Sequence, residues 1–209
     1  RKIIDNGPYT AKKATELGLV DMVGYFPSVT EAFKKELKVD DIVIVDFDNN
    51  VIEGKMRPSS DTKTHAFLYK HWKHIGGICH THSTYAVSWA QAIMDVPNFG
   101  TTHADHLTAD IPCAPPMSDE LIEGDYEHNT GQQILDCFAE KNLSPEEVEM
   151  VLVGSHGPFA WGKDAAKAVY NSKVLEEVRL YATNSMYDNE LPNMALGGIT
   201  SKQRLAMAV

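Results

Sequence analysis

Apolar residues recur along this chain with two periods, about two in some stretches and about 3.6 in others, and the switches between them outline its elements. Ile42-Val43-Ile44-Val45-Asp46 is a β-branched run that predicts a strand. Asp48-Asn49-Asn50 then turns the chain into Val51-Ile52-Glu53, which predicts a hairpin. From about Thr62 to His74 the spacing becomes helical, with Leu68 and Trp72 on the inner face. Ile75-Gly76-Gly77-Ile78-Cys79 is apolar and uncharged, as a buried strand should be, and it leads into His80 and His82. Helical spacing returns over about Thr84 to Ile93 and again over about Asn129 to Lys141, where Ile134, Leu135 and Phe138 share a face. Met150-Val151-Leu152-Val153 reads as a core strand, and Asp164 can cap a long helix to about Tyr181 with Val169, Leu175 and Val178 turned inward.

Three stretches carry weaker patterns. Ser28-Val29-Thr30-Glu31 is a capping-box sequence that opens a short helix to about Leu37. Pro97 to Pro116 is polar and irregular, long enough that short strands or an active-site role are expected of it. The tail from Asn184 to Val209 has little periodicity. Strands and helices alternate without regular βαβ spacing or a Gly-rich dinucleotide fingerprint. The fold class this predicts is α/β: a single domain whose central mixed, mainly antiparallel sheet is flanked by helices.

Composition narrows the function classes. The chain has 209 residues, 43% of them hydrophobic, enough for one compact domain with its own core. Its net charge of −10 repels polyanions, so nucleic acid is not an expected partner. No apolar run is long enough to span a bilayer, and the first residues lack the apolar stretch of a signal peptide, so no membrane partner is expected either. Cys79, Cys113 and Cys137 are an odd number without CxxC spacing, which suits a reducing compartment and makes the cytoplasm the expected location.

The chemistry concentrates in histidines. Two side chains at i and i+2 of an extended segment point the same way, so His80 and His82 share a side, and His156 follows a second core strand. Three imidazoles at strand ends suit a divalent metal; a chance pair among nine histidines is the plain alternative. His65, His71 and His74 read as solvated or capping residues on one helix. Trp161 reads as packing.

Four ordered motifs carry a family resemblance: Arg57-Pro58-Ser59-Ser60-Asp61-Thr62, His80-Thr81-His82-Ser83, Gly100-Thr101-Thr102-His103-Ala104-Asp105, and His156-Gly157-Pro158-Phe159-Ala160-Trp161-Gly162. Together they resemble the epimerase branch of the class II aldolase family, from about Leu37 to about Val178. The resemblance implies a metal-dependent isomerase of arabinose and related pentose catabolism, interconverting L-ribulose 5-phosphate and D-xylulose 5-phosphate by cleaving and remaking C3–C4. It implies His80, His82 and His156 as metal ligands, with Asp61 beside them, and a divalent ion, above all Zn2+. Asp61 also suits the helix N-cap position. Asp105 is the implied acid/base, or else a loop carboxylate making an Asx turn. Ser59 and Ser60 are implied to bind substrate phosphate, with helix capping as the alternative; Thr101 and Glu127 are implied to line the site or a subunit boundary, with plain surface polarity as theirs. The implied partners are a phosphorylated ketopentose and further copies of the chain in a homotetramer.

The resemblance read from these motifs begins at about Leu37, so the domains expected are an atypical N-terminal segment over 1–36 and a class II aldolase-like domain over 37–209. Tyr9 to Asp21 reads as an amphipathic helix ended by Gly18 with a strand after it, though it also looks like a segment of crotonase-fold proteins. No counterpart of the family's phosphate-binding GN loop or of its terminal tyrosine segment is found. Two alternatives follow: a class II aldolase acting on a related sugar phosphate, or a metal-binding chain of impaired catalysis.

Overall fold

The computed structural model describes residues 42–188 together with Lys35, with side chains as far as Thr183. The capping-box helix expected up to Leu37, apart from Lys35, the Tyr9–Asp21 segment and the tail after Asp188 lie outside the described residues. The described chain divides into two compact units. One comprises residues 42–46 and 50–58 and holds the expected hairpin. Its strands β1 (Ile44–Val45) and β2 (Val51–Glu53) pair antiparallel, Ile44 opposite Glu53. The Asp46 carboxylate accepts the backbone N–H of Asn50 at 2.8 Å, fixing the hairpin's mouth.

The second unit, residues 47–49 and 59–188, is built on a four-stranded sheet in the order β3-β6-β5-β4. The strands are β3 (Gly77–His80), β4 (Cys113–Ala114), β5 (Met150–Val153) and β6 (Gly157–Gly162). β3 and β5 flank β6 antiparallel, and β4 joins β5 in parallel, so the sheet is mixed and mainly antiparallel. Its helices are α1 (Thr62–His71), α2 (Thr84–Gln91), α3 (Thr101–Ala104), α4 (Asp119–Glu123), α5 (Tyr126–Glu140) and α6 (Ala165–Asp188). None of the described helices is long and apolar enough to cross a membrane.

The two faces of β5 and β6 are both buried, and alternate residues feed different cores. Met150, Leu152 and Ala160 pack with Ala86 and Trp89 of α2 and with Leu175 and Val178 of α6. Val151, Val153, Phe159 and Trp161 pack on the other face with Leu68 of α1 and with Ile134 and Phe138 of α5. Trp161 is fully buried and its Nε1 donates to the carbonyl of Pro145 at 2.8 Å. Arg179 is also fully buried beside the first core, where desolvation pulls its guanidinium down to about 9 against the opposing field of Glu176.

Several expectations shift. Val169 is 60% exposed, and Ala168, one position earlier on α6, takes the inward place. α6 begins as expected, with Asp164 accepting the N–H of Lys167 at 2.7 Å, but it continues past Tyr181 to Asp188. α1 stops at His71, where Trp72 turns extended. The Pro97–Pro116 stretch contains α3, β4 and Ile111, which bridges antiparallel to Val96 just ahead of it. The motif Gly157–Gly162, which shows no period of two, is itself a strand.

Candidate metal centre

Two strand ends meet at one edge of the sheet. β3 ends at His80, which lies opposite Phe159 of β6, and His82 follows two residues later. β5 and β6 are joined by Gly154-Ser155-His156, with Val153 opposite Gly157. That turn is tight: Ser155 takes a left-handed φ of 62°, and a side chain on Gly154 would come within 2.7 Å of the Ala114 carbonyl. Ser155 is held there by its N–H on the Ala90 carbonyl at 2.9 Å. His156 is thereby carried to the mouth of β3.

The three histidines converge, with one nitrogen of each within 4.8 Å of the others. Their rings lie 4.8 to 5.4 Å apart at interplanar angles of 72° to 86°. His80 donates Nδ1–H to the Pro158 carbonyl at 2.8 Å, which leaves its Nε2 lone pair facing His82 Nε2 at 3.2 Å. Two imidazole nitrogens on one tetrahedral zinc are roughly 3.3 Å apart, as Zn–N bonds of about 2.0–2.1 Å dictate. Gly157 completes the cradle: a methyl group there would touch His82 Cδ2 at 3.4 Å and His80 Cε1 at 3.5 Å.

Electrostatics favour neutral donors. Burial pushes His156 down to about 4, helped by the fields of His80 and His82. Burial also lowers His80, against the opposing effects of its Pro158 bond and of Asp61. At neutral pH these rings therefore present lone pairs, which a divalent cation requires.

The other expected residues are distributed as follows. Asp61 occupies the N-cap position of α1, yet its side chain makes no capping bond. It is outside the triad's set of converging atoms and acts on His80 and His156 through its field. Ser59 and Ser60 are exposed just ahead of α1, and the Ser59 hydroxyl bonds Asp61 Oδ2 at 3.2 Å. Glu127 is half-buried at the start of α5, and its carbonyl accepts the Thr64 hydroxyl at 2.6 Å. Thr101 and Asp105 are exposed at the two ends of α3, and no hydrogen bond, ion pair or ring contact joins either to the histidines among the described residues. His106 is exposed, its Nδ1 3.4 Å from the Tyr170 hydroxyl.

Three neighbours of the triad escape sequence reasoning. Phe159 stacks on His80 at 4.1 Å and 17°, bracing the ring from the side opposite solvent. His65 corrects the expectation of a solvated residue: its ring packs edge-on against Phe159 at 6.0 Å, its Nε2 is buried, and burial lowers it to about 4. Tyr126 sets its hydroxyl 3.1 Å from His156 Nδ1, and burial raises its phenol above the ordinary value. An aromatic next to Glu127 at a helix start is the only trace of that contact in the sequence.

Residues 23–181 match the family model described as the Class II Aldolase and Adducin N-terminal domain. The chain belongs to that family. It is 52% identical over 142 residues to proteins named L-ribulose-5-phosphate 4-epimerase UlaF from Salmonella paratyphi B and Salmonella typhi, a match covering 68% of this chain and 61% of each relative. The chain thus spans about three-fifths of the length of these curated relatives. Among solved structures, an L-fuculose 1-phosphate aldolase superposes with a TM-score of 0.60 at 22% identity, covering 79% of this chain and 69% of that one. The L-fuculose 1-phosphate aldolase of Glaciozyma antarctica PI12 gives 0.59 at 16% identity, covering 80% of this chain and 59% of its own. At these identities the structural likeness speaks for the fold, a mixed sheet flanked by helices.

Proposed function

We propose that this chain acts as a metal-dependent L-ribulose-5-phosphate 4-epimerase, interconverting L-ribulose 5-phosphate and D-xylulose 5-phosphate, with residues 37–209 as its class II aldolase-like domain. The observation that carries the reading is the convergence of His80, His82 and His156 in a chain 52% identical to proteins named for that activity. These three residues would hold a divalent ion, Zn2+ being the choice for an all-imidazole set. When bound, the ion supplies Lewis acidity. Asp61 would balance its charge from the start of α1.

The reaction's logic assigns the remaining roles. The hydrogen on C4 lies β to the C2 ketone and is not acidic, so inversion at C4 requires breaking and remaking C3–C4. A proton must leave and return at the C4 oxygen, and Asp105 is assigned that transfer. Ser59 and Ser60, with hydroxyls and backbone N–H groups ahead of α1, would take the substrate phosphate, and Thr101 and Glu127 would line the site. Among the described residues nothing joins Asp105 to the histidines, and the reading calls for a homo-oligomer, a tetramer by family likeness, in which a neighbouring copy completes the site. The setting proposed is the cytoplasm.

The test is product analysis after incubating the metal-loaded chain separately with L-ribulose 5-phosphate and L-fuculose 1-phosphate. D-xylulose 5-phosphate from the first alone is expected. Cleavage of the second would favour an aldolase, and bound metal without turnover of either would favour a catalytically impaired chain. His80→Asn and His156→Asn should each lose bound metal and more than about 100-fold in activity, beyond the loss usual for a residue behind the ligands. Full activity in either variant would refute the reading.

A further inference from the structure

We infer that Tyr126 is a positioning residue that fixes the tautomer and orientation of His156; the inference rests on the metal-site reading above. The three histidines are not equally constrained. His80 is held by strand pairing opposite Phe159, by its Nδ1 bond to Pro158 and by the Phe159 stack. His156 sits in the turn after a left-handed Ser155, outside the β5–β6 ladder, so its ring takes its alignment from side-chain contacts.

The hydrogen-bonding partner of its Nδ1 is the Tyr126 hydroxyl, at 3.1 Å. The backbone of Tyr126 is anchored. It opens α5, and its carbonyl accepts the Thr130 hydroxyl at 2.9 Å one turn on, where Thr130 is buried.

A neutral imidazole has one N–H and one lone pair, and the partner of one nitrogen decides the state of the other. If Nδ1–H of His156 donates to the tyrosine oxygen, the Nε2 lone pair is left for the cluster shared with His80 and His82. The opposite arrangement, with tyrosine donating to Nδ1, would turn an N–H toward the cation. The Pro158 carbonyl can only accept and so sets the Nδ1–H form of His80; we assign the Tyr126 hydroxyl, which can donate or accept, the accepting role toward His156, so that Nε2 of both rings would be left for the ion.

Tyr126→Phe keeps the ring and removes the oxygen. Zinc affinity, measured on the whole chain by competition with a chromophoric chelator, should fall about 10- to 100-fold, the range typical of a partner behind a ligand. Long-range 15N–1H spectra of the histidine side chains, recorded without metal, should report Nδ1–H His156 in the unaltered chain and a tautomer mixture in Tyr126→Phe. The tautomer of the unaltered chain can be read whether or not the variant folds. Equal zinc affinity in both proteins, or an Nε2–H His156 in the unaltered chain, would overturn the inference. If the unaltered chain takes up no zinc, the epimerase reading fails, and the tautomer comparison decides the role of Tyr126 alone.

Discussion

Burial holds two of the three thiols in their protonated form. Cys113 and Cys137 are both pushed up to about 11 from an ordinary 9.0, mainly by desolvation, with the Asp95 carboxylate adding to it. The unfolded chain therefore releases these protons at a lower pH than the folded one. Stability is unaffected below about pH 9 and falls as pH rises toward about 11, by on the order of 2 kcal/mol per thiol. Melting curves at pH 8 and pH 10.5 should show the loss, and a Cys113→Ala/Cys137→Ala double variant should lose less between the same two values; an equal loss would refute the assignment. At this scale the sequence was unevenly informative. The convergence of His80, His82 and His156 was legible from strand ends, spacing and the four ordered motifs together, spacing alone leaving a chance pair open, whereas the places of His65 and Tyr126 were not. Their roles come from which neighbour fills the space beside Phe159 and His156, and no local period encodes that.

Between elements, the packing of two helices hangs on one hydrogen atom. α1 packs against α5 where Phe67 faces Gly131, and a methyl group on Gly131 would sit 2.7 Å from Phe67 Cδ1 and 3.0 Å from Phe67 Cβ. Phe67 cannot swing aside freely, since His71 lies 4.2 Å and His128 4.7 Å from its ring. Gly131→Ala would gain up to about 1 kcal/mol in helix propensity. Overpacking of this kind costs about 1–3 kcal/mol, so the variant should be net destabilised. Chemical denaturation of the two proteins checks this, and a more stable variant would mean that α5 can shift. Periodicity found β5 and the long helices because their apolar faces repeat. It missed β6, whose residues are buried on both faces and include glycine and proline, and it misphased Val169 because the larger apolar side chain was read as the inward one, where Ala168 is buried instead.

For the molecule as a whole, the converging histidines belong to distant parts of the chain, His80 and His82 at and just past the end of β3 and His156, 74 residues after His82, in the β5–β6 turn. An ion that binds only when both are in position stabilises the folded state by mass action, about 2.7 kcal/mol at a hundredfold excess over Kd. For a chain of this size the melting temperature should rise by roughly 5–10 °C on adding zinc and return on chelation, with no rise in His156→Asn. An unchanged melting temperature in the native chain would refute a site that depends on folding. The pairing of His80 with Phe159 gives this dependence a sharper meaning. A one-residue slip of β3 along β6 would turn His80 to the other side of the sheet, away from His156. Bound metal is then a count of correctly registered sheets: the shortfall of ions per chain in a refolded sample measures the fraction that closed one step out of line.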